Sequence, residues 1–251
     1  MRWHARAALA LGLYRPLRWL QRHVFGRKDL ARVEGMRKFY SEQVSPGDLV
    51  FDVGANRGDM TDVFLQLGCR VVAFEPQEDM RRVIDARLGA NPDLTLLEFA
   101  LGSETGESKF FVNRGHTGAS SMVEEWRTDF SEVVTVPVRT LDAMIDRFGL
   151  PRYIKIDVEG FEVEVLQGLS QCIPLISFEH TRDHPDGPEK VRKCIEQLGR
   201  RAKLQVNLTP AETLKFTLNQ WIPASQFLEL YPQAFAGFEH RYGDVFVKSV
   251  P

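Results

Sequence analysis

Two acids and a glycine bend set the first chemical constraint. Asp52 lies in the string Asp52-Val-Gly-Ala-Asn-Arg-Gly58, and Glu75 follows 23 residues later, just before Pro76. Glycines at the end of a strand let a ligand approach the main chain, and the helix that follows offers unpaired N–H groups. A pyrophosphate turn needs the G-x-G-x-x-G spacing. Gly54 and Gly58 are instead four apart with Asn56 between them, and Asp52 would repel a phosphate. An acid here suits a ligand with a positive end, such as an amino-acid ammonium group. An acid at the tip of the second strand suits both hydroxyls of a ribose. Ammonium plus ribose describes S-adenosylmethionine, and the same spacing disfavours a nicotinamide-dependent oxidoreductase.

A second constellation is Tyr153-Ile-Lys-Ile-Asp-Val-Glu-Gly160, which places Asp157 and Glu159 at a strand end just before a helix. Ligands bind at the carboxyl ends of strands in open sheets. Lys155 falls on the same face as Asp157 by the period of two, either as an ion-pair partner or as a snorkelling surface lysine. Glu179 and His180 end the next apolar run. His180 is the favoured general base, since an imidazole titrates near pH ~6.5 and a carboxylate neighbour would raise that value. Asp157 and Glu159 are the other catalytic candidates. As a pair they could also hold a divalent cation, a reading not favoured because such ions take further oxygen ligands. The loop from Asn113 to Ser121 has the composition of a lid hinged at Gly115 and Gly118, and its His116 is a weaker base candidate.

The elements that must position these groups alternate in type. Short apolar runs at 49–53, 70–74, 94–97, 153–157 and 175–179 read as buried strands. Amphipathic stretches at 59–67, 78–88, 141–148 and 161–169 read as helices, and Val191, Cys194, Ile195 and Leu198 form a further helical stripe. Segments 108–112 and 133–138 look extended, and 204–208 and 244–248 could close the sheet. The expected fold is α/β: an open, mostly parallel, twisted Rossmann-like sheet with helices on both faces. Trp221, Phe227, Tyr231, Phe235 and Phe238 read as core packing before an acceptor wall.

Composition sets the outer limits. At 43% apolar and 26% charged the chain is ordinary globular material. No run approaches the ~18 apolar residues of a spanning helix. Cys69, Cys172 and Cys194 are odd in number and widely spaced, which argues for a reducing, cytoplasmic setting. The net charge of −2 hides a division: residues 1–41 carry ten Lys/Arg against two acids, and the remainder is acidic. The expected organisation is a basic amphipathic helical extension over 1–44 and a catalytic domain over 45–251. Trp3, Tyr14 and Trp19 beside arginines make residues 1–28 a candidate peripheral contact with the inner face of a membrane.

In order, Asp52-Val-Gly-Ala-Asn-x-Gly58, Phe74-Glu-Pro76, Ala100-Leu-Gly102, Thr140-Leu-Asp142 and Ile154-Lys-Ile-Asp-Val-Glu-Gly160 resemble the FkbM-type methyltransferase family over about residues 45–180. The resemblance implies a class I, S-adenosylmethionine-dependent enzyme acting on a hydroxyl of a sugar, glycan, glycolipid or natural product, with no nucleic-acid partner. It also implies that Asp52, Gly54, Asn56 and Gly58 line the methionine end, that Glu75 with Pro76 holds the ribose, and that Ala100 and Leu101 border the adenine. Phe99 stands where the family often carries a polar residue, leaving stacking or main-chain contacts to the base. The alternative from a different class is a non-catalytic, membrane-attached binding or scaffold relative, against which the intact Asp52, Gly54 and Glu75 speak.

Overall fold

Strand β1 (Leu49–Val53) is buried along its whole length and forms the centre from which the chain winds outward in both directions. The computed structural model describes residues 27–115, 117–124, 129–181, 186–210, 213–236 and 242–250. Helix α1 (Arg27–Ser41) precedes β1. After β1 come α2 (Asp59–Gln66), β2 (Arg70–Phe74), α3 (Glu78–Leu88) and β3 (Leu94–Leu97). Then follow β4 (Ala100–Leu101), β5 (Gly106–Val112), β6 (Glu132–Arg139), α4 (Leu141–Phe148), β7 (Tyr153–Ile156) and α5 (Glu162–Gln167). The remainder is β8 (Leu175–Thr181), α6 (Gly187–Gly199), β9 (Lys203–Pro210), β10 (Ile222–Pro223), α7 (Ala224–Ala236) and β11 (Tyr242–Val250).

The main sheet runs β10-β9-β11-β8-β7-β1-β2-β3. The five strands from β8 to β3 are parallel, and β11, inserted between β8 and β9, is antiparallel to both. The chain leaves β1 towards β3 and later returns to its other side with β7, so the topological switch point lies between β1 and β7. In such sheets the ligand crevice opens at the carboxyl ends of the strands flanking that point.

The period of two distributes each strand between two cores. Phe51, Phe74, Ile154, Ile156 and Phe178 pack with Leu141, Leu166, Ile195 and Phe227 of the helices on one face. Val50, Val71, Tyr153, Leu175 and Phe246 meet Met36, Phe39, Tyr40 and Phe64 on the other. The expected boundary between 44 and 45 therefore falls inside packed structure. Met36, Phe39, Tyr40 and Val44 are core residues, because the aromatic cluster of the sheet needs an apolar cover and α1 supplies it. The expected helices before residue 27, and the proposed membrane contact over 1–28 apart from its last two residues, lie outside the described residues.

One feature was not anticipated: Ala100–Leu101 is a short strand in a second sheet, β4-β6-β5, rather than a bare strand-end loop. Phe227 and Tyr231 belong to α7 and are buried in the core, as expected of core packing, while Trp221 packs against Phe216 and carries Lys248 Nζ 3.9 Å above its ring. The side chain of Phe235 and all of Phe238 lie outside the described residues. The three cysteines are free, and no helix among the described residues is long and apolar enough to cross a membrane.

Candidate functional site

The glycine bend after β1 is shaped by the protein itself before any ligand. Gly54 has φ 80°, and Gly54 and Ala55 both donate their N–H to the Phe74 carbonyl at 3.0 Å. A Cβ at Gly54 would lie 1.8 Å from the carbonyl oxygen of Asp157. The group that comes close to Gly54 is thus the tip of β7, which pins the two strands flanking the switch point together. Asn56 follows with φ 49° and Gly58 with φ 74°, turning the chain into α2.

Glu75 is only 2% exposed and points back over this bend. Its two carboxylate oxygens each accept a main-chain N–H at 2.7 Å, one from Asn56 and one from Gln77. Burial outweighs these bonds and pushes the carboxyl up to about 7. With Gly54, Asn56, Pro76, Gln77, Phe99, Ala100 and Leu101 it lines a crevice. Gly118, Ser120 and Met122 close the crevice from the side, so the loop expected to act as a lid does reach the site. The Ser120 hydroxyl donates to Gln77 Oε1 at 3.3 Å. His116 lies outside the described residues.

Asp52 is placed differently from expectation. It is fully buried on the face towards α2 and does not line the crevice; the Thr61 hydroxyl donates to its Oδ2 at 2.6 Å. Burial raises its carboxyl. Its Oδ1 is buried without a hydrogen-bond partner among the described residues, and its side chain lies on the face set by the strand's alternation.

The β7 tip brings the catalytic candidates to the mouth of the same crevice. Asp157, Glu159 and Glu179 line it, with carboxylate oxygens within 4.8 Å of one another. Glu159 has φ 55° and its carbonyl accepts the Ser121 hydroxyl at 2.7 Å. Glu162, which sequence reasoning passed over as a helix residue, accepts the N–H groups of Val158 and Gly160 at 3.2 Å each and so fixes the turn that carries both acids. Lys155 is 6% exposed and donates to Asp157 Oδ2 at 2.8 Å. Burial, with Asp157, Glu159, Glu162 and Asp244 nearby, pushes Glu179 well above the usual carboxylate range. As a cation site the trio offers three ligands where hard cations take six or more oxygens. Its crowding is relieved by Lys155 on Asp157 and by the pull towards a protonated Glu179.

His180 is not part of this constellation. Its side chain leaves β8 on the opposite face, where Nδ1 lies 3.2 Å from the Tyr231 hydroxyl, and it is 4% exposed. Burial pushes its imidazole down to about 3. The expected raising by Glu179 fails because consecutive strand residues point to opposite faces.

The lining of the crevice selects among ligands. Glu75, Asp157, Glu159 and Glu179 are acids, and no lysine or arginine lines the crevice among the described residues. Asn56 adds a buried Oδ1 without a hydrogen-bond partner among the described residues. Such a surface presents acceptors to a ligand rich in donors and positive charge. S-adenosylmethionine, with its ribose diol, ammonium and sulfonium, fits that description, and a pyrophosphate does not.

The model of the methyltransferase FkbM domain matches residues 52–202. The chain belongs to the FkbM methyltransferase family. Hexuronic acid methyltransferase AglP of Haloferax volcanii is 25% identical over 195 residues, covering 76% of this chain and 75% of that protein. Among solved structures, a TehB-like SAM-dependent methyltransferase from Corynebacterium glutamicum has a TM-score of 0.47 at 9% identity, covering 96% of this chain and 99% of that one. Fibrillarin from Aeropyrum pernix, solved with S-adenosyl-L-methionine, has a TM-score of 0.47 at 7% identity, covering 88% and 74%. As an FkbM methyltransferase, this chain uses S-adenosylmethionine as its methyl donor.

Proposed function

We propose that this FkbM domain methylates a hydroxyl of a sugar or glycan, with Asp157 as the general base. The observation that carries the reading is the position of Asp157, Glu159 and Glu179 at the mouth of a crevice whose inner wall is Gly54, Asn56 and Glu75. When bound, S-adenosylmethionine supplies a methyl group on a sulfonium that departs as a neutral thioether, so the protein needs little electrophilic assistance. Two tasks are left to the side chains. Alignment of the acceptor oxygen with the methyl carbon can contribute about 7–11 kcal/mol, and removal of the hydroxyl proton typically adds about 10²–10⁴-fold.

Asp157 is ion-paired to Lys155 and 37% exposed, an accessible carboxylate with a cation behind it. Glu159 and Glu179 flank it and are suited to accepting from or donating to further hydroxyls of a polyol. Glu75, paired to two main-chain N–H groups, retains lone pairs for the ribose diol. The relative acting on hexuronic acid supports a carbohydrate acceptor. The acid-lined mouth favours a neutral, hydroxyl-bearing ring at the reacting position.

The test is methyl transfer from labelled S-adenosylmethionine to a panel of neutral and uronic-acid oligosaccharides, with RNA and protein acceptors alongside. Label in a sugar, lost by about 10²–10⁴-fold in Asp157→Asn, is the expected result. Label confined to RNA or protein would overturn the acceptor class, and full turnover by Asp157→Asn would overturn the base.

A further inference from the structure

Lys155 occupies the middle of β7, a parallel strand whose other residues are Tyr153, Ile154 and Ile156, all buried and without charge. An apolar residue would suit that position at least as well, since buried ion pairs are often replaceable by apolar groups without loss of stability. The lysine is nevertheless surrounded by acids from three other positions. Asp52 is its register partner on β1, Asp157 follows on its own face, and Asp244 faces it from β11. From β8 the register partner is Ser177, whose hydroxyl is 2.6 Å from the Tyr153 hydroxyl. Burial alone would pull the ammonium towards neutrality; the three carboxylates overcome it and hold the charge.

The ion pair sits where two cavities meet. Asp157 and Glu179 line the crevice already described and also a second cavity on the α1 face, where Lys155 forms part of the wall. Arg32 and Tyr40 from α1, Asp59 from α2, and Tyr242 and Asp244 from β11 bring the remaining titratable groups to that cavity. Around Asp157 itself stand Lys155, Asp52, Glu159, Glu162, Glu179 and Asp244. Among the described residues, Lys155 is therefore the cation in direct contact with a carboxylate surrounded mainly by carboxylates.

We propose that Lys155 is a positioning residue for methyl transfer: its ammonium holds Asp157 by Oδ2 and leaves Oδ1 turned to take the acceptor's proton. The inference rests on the reading of Asp157 as base. In the step, the hydroxyl proton passes to Asp157 Oδ1 as the oxygen lone pair forms the new O–CH₃ bond. The C–S bond breaks with its electron pair going to sulfur, so the sulfonium charge is discharged and a neutral thioether leaves. Glu179 is pushed well above the usual carboxylate range by burial and by its acidic neighbours, which suits it to donating rather than accepting a proton.

The test uses the full chain with ¹³Cγ-labelled aspartate, the Asp157 resonance being assigned by its loss in Asp157→Asn. In Lys155→Met the Asp157 titration midpoint should rise by about 1–3 pH units, the effect of removing an adjacent opposite charge, and in Lys155→Arg it should stay near the wild-type value. The acid limb of kcat on the labelled-sugar assay should move upward with it in Lys155→Met, while the Kd for S-adenosylmethionine changes by less than about threefold, since Lys155 does not line the first crevice. Lys155→Gln is read in parallel in case the methionine variant does not fold. An unmoved Asp157 midpoint, an unmoved acid limb, or equal loss of cofactor binding in the Met and Arg variants would overturn the proposal. Full activity of Asp157→Asn would instead overturn the base assignment on which it rests.

Discussion

Glu179 and His180 are consecutive residues of β8, yet their side chains leave the sheet on opposite faces, Glu179 into the crevice and His180 against Tyr231. The carboxylate does not tune the imidazole across the peptide bond between them. Each answers to its own face: Glu179 to Asp157 and Glu159, His180 to the apolar core around α7.

That division makes His180 a stability residue. Its imidazole is depressed to about 3 in the folded state, against ~6.5 unfolded. A depressed value means that its contribution is fully present above pH ~6.5 and is lost as the pH falls, by about 1.4 kcal/mol per unit until the folded value is reached. Comparing wild type with His180→Leu in urea melts from pH 7.5 to 4.5, the wild type should lose stability relative to the variant below pH ~6.5. Turnover at pH 7.5 should change by less than about threefold, as expected of a group outside the crevice; a loss near 10²-fold would restore it as a base.

Glu75 yields a pH dependence of cofactor binding. Its carboxyl is raised to about 7 by burial, and a role in holding the ribose diol requires the ionised form, which accepts from both hydroxyls. Lowering the pH from 7 to 6 should therefore weaken the calorimetric Kd for S-adenosylmethionine by up to about tenfold. Glu75→Gln should bind about 5- to 150-fold more weakly at pH 8, the loss of about 1–3 kcal/mol, with the dependence flattened. In the cofactor-free protein the same raised value has the opposite consequence. Its stabilising contribution is present below ~4.5 and is lost as the pH rises through about 7. A Kd that is flat from pH 6 to 8 in the wild type would remove Glu75 from the ribose.

Gly54 and Gly47 separate strain from collision. Both have positive φ, 80° and 87°. A Cβ at Gly47 meets nothing within 4 Å, whereas one at Gly54 meets the Asp157 carbonyl oxygen at 1.8 Å. Gly47→Ala should cost about 1–2 kcal/mol from the backbone alone. Gly54→Ala should cost more than about 4 kcal/mol and abolish cofactor binding, because β1 and β7 must part. Equal thermal shifts for the two variants would mean that the bend does not pin the strands.

Phe39 tests where the folded unit begins. Its ring packs on Tyr40, Phe216 and Phe246, and it is buried. Phe39→Ala should cost about 3–5 kcal/mol in a denaturant melt, as for other buried aromatic truncations. A domain that started at residue 45 would lose almost nothing.

How much of this was legible beforehand follows from the range of each interaction. The strands and helices around the crevice are local periodicities, and their spans in the sequence fall within a few residues of the observed ones for β1, β2, α3 and α4. Glu75 was readable because a strand tip followed by proline has few places to go. The pairing of Lys155 with Asp157 was readable because two residues on one strand share a face. The same rule, applied to 179 and 180, would have separated the histidine from its supposed partner.

The amino-acid order alone determined the α/β alternation, the glycine bend, the two acidic motifs and the family they belong to, since each is carried by neighbours in the chain. Only the tertiary structure decided which acids share a crevice. Asp52 lies beneath the bend, Glu179 comes from a different strand to stand beside Asp157, and α1 covers the aromatic face assigned to the catalytic domain. Those outcomes depend on strand order and on which face of the sheet each side chain enters. Both are set by packing between segments far apart in sequence, where no local spacing records them.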